Sequence, residues 1–128
     1  MFTVEYYEKE DGTFPVEQFI LGLDNKMQAK VFRLLNLLEE FGNQLSEPHS
    51  KHLEEGIYEL RIKQSSNTNR VLYFFFAGKR IILTNGFVKK TQKTPRNEIE
   101  LAKRRKQLFY ERERRNLTDA EKLQGNAE

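Results

Sequence analysis

The chain contains one short segment that is apolar at almost every position. Residues 70–77 read Arg-Val-Leu-Tyr-Phe-Phe-Phe-Ala, and a turn signal, Gly78-Lys79, follows directly. An apolar run of this length, bounded by turn residues, is typical of a strand that is buried on both of its faces. The sequence therefore predicts a β-sheet with this strand in a central position, and the other elements must be arranged around it.

Two further strand patterns flank the central one. Residues 57–64 alternate between apolar and polar side chains, which places the charged residues, Arg61 among them, on a single face. Residues 65–69, Ser-Ser-Asn-Thr-Asn, indicate a turn, and residues 80–88 form the last strand of the pattern. Three consecutive strands joined by short turns predict an antiparallel meander.

The N-terminal third predicts one strand and two helices. Residues 2–7 are rich in β-branched and aromatic side chains and indicate a strand. Pro15 suits the first turn of a short helix. Asp24 suits the N-cap of a longer helix whose apolar positions recur every three or four residues until Gly42. The polar segment 43–55 that follows is predicted to be a loop.

A basic helix closes the pattern. Pro95 begins a helix of about 20 residues, which ends near residue 115. The chain is predicted to form one domain over residues 1–115, followed by a polar tail over 116–128. The element order is β-α-α-β-β-β-α, and the fold class is α+β. The antiparallel sheet is expected to carry the helix pair on one face, which leaves its opposite face partly free.

Composition excludes several kinds of protein. The chain has 128 residues, enough for one core, and no cysteine, which rules out disulfides, thiolate zinc sites and cysteine nucleophiles. No apolar run is long enough to span a membrane, and no signal peptide is evident. Glycine-rich nucleotide motifs are absent from the sequence. His49 and His52 are three positions apart, but they lie in a polar segment without a carboxylate partner and indicate ordinary surface histidines rather than a metal site. We therefore expect a soluble, cytoplasmic protein without a cofactor or a metal ion.

Charge is distributed unevenly along the chain. Residues 87–115 contain eleven Lys or Arg against four Glu, whereas the rest contains eleven basic and fifteen acidic residues. A polarised surface of this kind attracts a polyanion. The ordinary alternative is a charged helix that is simply solvated. The lysine-rich motif at 89–93 lies next to the helix and favours the interpretation that this part of the chain binds a polyanion.

The candidate site is cationic. Arg61 lies in the middle of its strand, Arg70 begins the central strand, and Lys89, Lys90 and Lys93 follow the last one. In a three-stranded meander these positions can converge on one face. Guanidinium groups bind phosphate in a bidentate manner, and lysines add point charges. Together they suit the backbone of a nucleic acid, and the same charges would stabilise a phosphodiester during its cleavage.

Three motifs in this region resemble those of a known family. They are Lys-His-Leu at 51–53 with Gly-Ile-Tyr-Glu-Leu-Arg at 56–61, Asn-Arg-Val-Leu-Tyr at 69–73, and Phe-Val-Lys-Lys-Thr-Gln-Lys-Thr-Pro at 87–95 followed by Glu98-Ile99 and Ala-Lys-Arg at 102–104. In this order and spacing they resemble the RelE/ParE toxin superfamily, and best its phage-related, HigB-like branch of type II toxin–antitoxin systems. The resemblance covers roughly residues 2–112 and implies a RelE-like fold.

The resemblance also implies an activity and partners. Such toxins are metal-independent endoribonucleases (mRNA interferases) that cut mRNA, commonly on the translating ribosome, and thereby inhibit translation and growth. The ribose 2′-hydroxyl attacks the adjacent phosphate and leaves a cyclic phosphate. A cognate antitoxin, often a helix-turn-helix DNA-binding protein, neutralises the toxin. The complex binds operator DNA through the antitoxin.

The resemblance also implies roles for individual residues, which are assigned to the positions of this chain that match the family's motifs. The catalytic set would comprise Arg61 and Arg70, which stabilise the phosphate, with Lys89 and Lys90, which share substrate binding and proton transfer. The RNA-binding set would comprise Lys63, Thr91, Gln92 and Lys93. The chain lacks the C-terminal histidine or tyrosine that some relatives use for proton transfer. His52 is the first substitute that the sequence offers, and Tyr110 on the last helix is the second.

Three other functions remain open at this stage. A ParE-like DNA gyrase poison would share the fold but would need no convergent cationic site. A non-catalytic phage-type protein would use the basic helix to bind nucleic acid in general. A small α+β interaction module would carry the charges only on its surface.

Overall fold

The computed structural model describes residues 1–64 and 67–126, so residues 65–66 of the predicted turn lie outside the described residues. Its secondary structure is α+β, with a five-stranded sheet and three α-helices. The elements are β1 (Thr3–Tyr6), α1 (Pro15–Leu21), α2 (Asn25–Phe41), a short 3-10 helix (Gly42–Gln44), β2 (Ser50–Glu54), β3 (Ile57–Gln64), β4 (Asn67–Phe76), β5 (Arg80–Val88) and α3 (Arg96–Asn126).

The sheet has the strand order β1-β5-β4-β3-β2, so the apolar strand β4 lies at its centre, as the sequence predicts. Strands β2 to β5 are antiparallel, whereas β1 runs parallel to β5. The prediction of an antiparallel sheet is therefore wrong for its first strand. Two helices separate β1 from the other strands in sequence, so no hairpin fixes the direction of β1.

Strand β2 was not predicted, because the segment 43–55 has the polar composition of a loop. Residues Ser50–Glu54 nevertheless form the edge strand beside β3. A tight turn joins β2 to β3, in which Glu55 and Gly56 have φ angles of 49° and 76°. Only Lys51 and His52 of this edge strand are exposed, but it is short and mostly polar, so its sequence resembles that of a loop.

The sheet carries an apolar layer on each face. On one face, Leu60, Val71 and Leu83 pack against α1 and α2, as predicted for the helix pair. On the other face, Leu72 and Phe74 belong to a second cluster with several neighbours, namely Tyr7, Ile57, Ile82, Phe87, Ala102 and Phe109. The second face was expected to be partly free, but α3 covers it, because Ala102 and Phe109 lie on the apolar side of that helix.

The ends of α2 follow the predicted capping pattern. The Asp24 carboxylate accepts a hydrogen bond from the backbone N–H of Met27 at 2.8 Å, which satisfies one of the free donors of the first turn. Gly42 has a φ angle of 54° after the last residue of the helix, and its N–H donates to the carbonyl of Leu38. Both predicted boundaries of α2 are confirmed.

Helix α3 is longer than the 20 residues predicted. It runs from Arg96, directly after Pro95, to Asn126, so the predicted boundary between residues 115 and 116 falls inside the helix. Residues 114–123 are exposed to solvent. Their polar composition suggested a frayed tail, but residues such as Ala120 and Lys122 favour a helix that is already nucleated upstream.

Candidate functional site

The register of the sheet brings the predicted cations together at one end of the α3-covered face. Arg61 of β3 lies opposite Arg70 of β4, which in turn lies opposite Phe87 of β5. Lys89 is two residues beyond Phe87, and its backbone N–H donates to the carbonyl of Thr68 at 2.7 Å, which continues the ladder. Because side chains two residues apart share a face, Lys89 points to the same side as both arginines.

An open groove with a volume of about 780 Å³ occupies this end of the sheet. Within the described part of the chain, helix α3 contributes no side chain to the groove. Thr68 and Val88 line the groove together with seven of the predicted site residues. These seven are Arg61, Lys63, Arg70, Lys89, Lys90, Thr91 and Gln92. Five of these side chains are basic, and none of the described residues in the lining is acidic.

A buried carboxylate lies at the base of the cationic cluster. Glu59 has no solvent exposure, and its Oε1 atom lies 3.3 Å from Arg61 Nε, 3.3 Å from Arg70 Nε and 3.7 Å from Lys89 Nζ. The Thr94 hydroxyl donates a hydrogen bond to its other oxygen, Oε2. The contact with Arg61 is a hydrogen bond, whereas the Arg70 Nε–H is not aligned for one. All four groups thus converge on a single carboxylate.

The two arginines are held differently. The Arg70 side chain is only 6% exposed, and its Nη1 donates to the carbonyl of Asn69 at 3.0 Å. Burial lowers the pKa of Arg70, but a guanidinium stays charged at any physiological pH. Arg61 is more accessible, and its Nη1 lies 3.4 Å from the exposed carboxylate of Glu47. Arg61 therefore has one fixed contact inside the protein and one at the surface.

Lys89 is the lysine whose charge is most affected by the site. Its side chain is 8% exposed. Burial lowers the pKa of Lys89; the charge of Glu59 opposes this shift, and the nearby charges of Arg70, Arg61 and Lys51 add to it. Lys90, the next residue, is exposed at the rim of the groove. The pair thus combines a buried amine that loses its proton more easily with an exposed ammonium.

A second cavity of about 650 Å³ adjoins the first and shares Arg61, Lys89, Thr91 and Gln92 with it. The predicted RNA-binding residue Lys93 lines this second cavity rather than the first. Its remaining lining mixes apolar and charged side chains: Lys51, His52, Leu53, Glu54, Glu59, Thr94, Pro95, Arg96 and Ile99. The two cavities share four lining residues and together extend from the end of β5 to the start of α3, and most of the charged side chains along them are basic.

His52 reaches the edge of the second cavity but is turned away from the cations. The sheet register pairs it with Tyr58, whose side chain lies on the face opposite Arg61. The two rings are in edge contact, with centroids 5.0 Å apart, and His52 Nε2 accepts a hydrogen bond from the Gly56 N–H at 3.3 Å. The geometry therefore gives no support to His52 as the proton-transfer residue.

Sequence reasoning missed three residues of the site. Glu59 was assigned only to the polar face of its strand, and no local signal predicts its burial. Lys51 lies opposite Glu59 in the β2–β3 register, a position that becomes visible only once β2 is known to be a strand. Thr68 was assigned to a turn, yet it lines the groove, and its hydroxyl donates to the carbonyl of Lys89.

The described residues show neither a metal-binding cluster nor a membrane-spanning helix. No three His, Cys, Asp or Glu side chains within residues 1–64 and 67–126 are grouped so that they could hold a metal ion. In the same part of the chain, no helix combines the length and the apolar character that crossing a membrane requires.

Comparison with protein families identifies the chain at a coarse level. The family model described as "Phage derived protein Gp49-like (DUF891)" matches residues 18–107, which is more than half of the chain and includes every predicted site residue. The chain belongs to this Gp49-like family. The family is toxin-like and related to RelE and HigB, and such a toxin implies an antitoxin partner. No curated protein matches the chain.

Proposed function

We propose that this Gp49-like protein is the toxin of a type II toxin–antitoxin system and acts as a metal-independent endoribonuclease on mRNA, during translation on the ribosome. It would act in the cytoplasm and arrest growth by inhibiting translation. The observation that carries the proposal is the groove in which Arg61, Arg70, Lys89 and Lys90 meet above the sheet with no acidic side chain among the described residues of its lining.

The groove has the chemistry that a phosphodiester requires. Guanidinium groups bind phosphate oxygens through paired N–H donors, and Arg61 and Arg70 present two of them side by side. Lys63 and Lys90 add charge at the rim, where the flanking phosphates of a strand would pass. A gyrase poison or an interaction module has no need for two arginines fixed on a buried carboxylate.

Cleavage would then proceed by attack of a ribose 2′-hydroxyl on the adjacent phosphorus. Lys89, whose pKa is lowered by burial, accepts the proton of that hydroxyl as the O2′–P bond forms. The P–O5′ bond breaks, and the Lys90 ammonium donates a proton to the departing O5′. Arg61 and Arg70 neutralise the charge that develops on the phosphorane oxygens. The products are a 2′,3′-cyclic phosphate and a 5′-hydroxyl.

The antitoxin is expected to be a helix-turn-helix DNA-binding protein that either covers the cationic groove or keeps it away from the ribosome. The toxin would reach operator DNA only through this partner. If the antitoxin masks the groove with acidic residues, the complex should weaken as salt concentration rises.

The decisive experiment is to map transcript ends shortly after induced expression. New 5′ ends inside translated frames are expected for the wild type and absent for Arg61→Ala and Lys90→Ala. Lys26→Ala serves as the control, because Lys26 is an exposed lysine on α2, on the far side of the sheet from the groove. Circular dichroism of each purified variant shows whether it is folded.

Other outcomes would refute the proposal. Intact transcripts together with double-strand DNA breaks would instead indicate a ParE-like gyrase poison. Growth arrest without either kind of damage would point to a non-catalytic nucleic-acid-binding protein. Full toxicity of the folded Arg61→Ala and Lys90→Ala variants would show that the cationic groove is not the active site.

A further inference from the structure

We propose that Glu59 is the positioning residue of the active site: it fixes Arg61, Arg70 and Lys89 in their working geometry without touching the substrate itself. This inference deepens the proposed function and rests on it. It concerns a residue that borders the second cavity and does not line the groove itself.

The contacts of Glu59 are all internal to the protein. One oxygen, Oε1, faces three cationic nitrogens at 3.3, 3.3 and 3.7 Å, and the other accepts the Thr94 hydroxyl. The carboxylate has no solvent exposure, and both of its oxygens face groups of the protein rather than the groove. Its chemistry is therefore limited to placing and balancing the groups around it.

The cations need such a partner. Arg61 and Arg70 are directly opposite each other on neighbouring strands, and like charges in this arrangement repel. Lys89 brings a third positive charge to the same carboxylate oxygen. Without a negative charge between them, the three side chains would repel one another and move apart toward solvent, and their close grouping would be lost.

Glu59 also connects β3 to the loop that carries the remaining site residues. Its contacts with Lys89 and Thr94 lie near the two ends of the segment 89–95. Lys90, Thr91 and Gln92 lie between these two points and line the groove. One buried side chain thereby holds the strand with Arg61 and the loop with Lys90 at a constant separation.

The charge of Glu59 also affects the pKa of Lys89, which a purely structural residue would not do. The charged groups that act on Lys89 come from three strands: Lys51 of β2, Glu59 and Arg61 of β3, and Arg70 of β4. Glu59 is the acidic one and alone favours the protonated amine. Its replacement by a neutral residue should therefore lower the pKa of Lys89 further.

The test compares Glu59→Gln with Glu113→Gln in a purified translation system programmed with one mRNA. Glu113 lies 3.2 Å from Arg80 at the opposite end of the sheet and has no role in the groove. For Glu59→Gln we expect kcat to fall by about 100-fold, with a smaller change in KM. The acidic limb of the pH–rate profile should move to lower pH, because the free amine of Lys89 then persists at lower pH. Glu113→Gln should match the wild type.

A folded Glu59→Gln protein with wild-type kcat, or with a uniformly reduced rate and an unmoved acidic limb, would overturn the inference. Thr94→Val provides a second variant that keeps the charge and removes one hydrogen bond. It should lower kcat less than Glu59→Gln does and leave the acidic limb of the pH–rate profile at the same pH.

A measurement without RNA separates this inference from the proposed function. Titration of the Lys89 side chain, followed by NMR of its Nζ or Cε signal, should show a lower pKa in Glu59→Gln than in the wild type and no change in Glu113→Gln. If the wild type cleaves no RNA, the proposed function fails. If the pKa of Lys89 does not respond to Glu59, the positioning role fails whatever the protein does to RNA.

Discussion

Arg61 and Arg70 face each other across β3 and β4, and the carboxylate of Glu59 lies 3.3 Å from the Nε atom of each. Two cations side by side in a sheet are unfavourable on their own. Their juxtaposition over a buried carboxylate concentrates positive charge where a single phosphate group would bind. This arrangement leads to a set of measurable expectations for binding, catalysis and stability.

Removal of Arg61 should affect catalysis far more than stability. Its side chain is the most exposed of the three cations around Glu59, and its loss leaves Arg70 and Lys89 beside that carboxylate. We expect Arg61→Ala to reduce the rate of mRNA cleavage by about 100- to 1,000-fold, the usual effect of losing one group that stabilises a developing charge. The control is Arg33→Ala, an exposed arginine on α2. Equal cleavage by the two variants would contradict the assignment of Arg61.

Removal of Glu59 should have a marked effect on stability. Glu59→Ala leaves three cations around a vacated buried position, and breaking a buried ion pair in this way costs about 3–5 kcal/mol of unfolding free energy. Glu113→Ala, which removes a partly exposed carboxylate from Arg80, should cost less than about 1 kcal/mol. Urea unfolding of both variants tests the difference. Similar losses of unfolding free energy would show that the buried carboxylate stabilises the fold no more than the partly exposed one does.

The lowered pKa of Lys89 predicts a pH dependence of stability. A lysine whose pKa is lower in the folded than in the unfolded protein binds fewer protons when folded, so the unfolding free energy increases as pH rises through that window. The window lies below the ordinary lysine pKa of 10.5. Relative to Lys89→Gln, the wild type should therefore become more stable as pH is raised toward 10.5. A pH-independent difference would contradict the burial of the Lys89 amine.

Local pattern was sufficient to predict the elements on which the site is built. The bounds of β3 and β5, 57–64 and 80–88, agree with the structure because alternation and turn residues determine them within a few positions. The convergence of Arg61, Arg70 and Lys89 also followed from sequence, since antiparallel neighbours joined by short turns leave few alternative registers. Short-range rules therefore account for most of the cationic groove.

Long-range packing accounts for what the sequence did not reveal. Strand β2 is an edge strand whose exposed side chains carry no apolar signal, and its pairing with β3 is the only thing that distinguishes it from a loop. Glu59 has the sequence context of a solvent-facing residue. Its burial arises because Lys89 and Thr94, 30 or more positions further along the chain, close over it, and no periodicity contains that information.

Packing of α1 on the sheet depends on the absence of a side chain at Gly86. A Cβ atom at this position would collide with the ring of Phe19. We expect Gly86→Ala to reduce the unfolding free energy by about 1–3 kcal/mol, the usual cost of overpacking. Gly22→Ala is the control, because Gly22 has an ordinary helical φ angle of −81° and space for a methyl group. The double variant Phe19→Leu with Gly86→Ala should recover part of the loss if the ring is the cause.

RNA binding should depend on salt in proportion to the number of cations in the groove. Each phosphate that a lysine or arginine neutralises releases counterions, and for a single strand the slope of log K against log salt changes by about 0.7 per contact. Lys90 is exposed at the rim, so Lys90→Ala should weaken binding of a catalytically protected, 2′-deoxy oligonucleotide and reduce the slope by about that amount. Lys26→Ala, outside the groove, should leave both quantities unchanged. Equal slopes for the wild type and Lys90→Ala would mean that Lys90 does not contact the backbone, and the RNA path would then have to run through the second cavity beside Lys93.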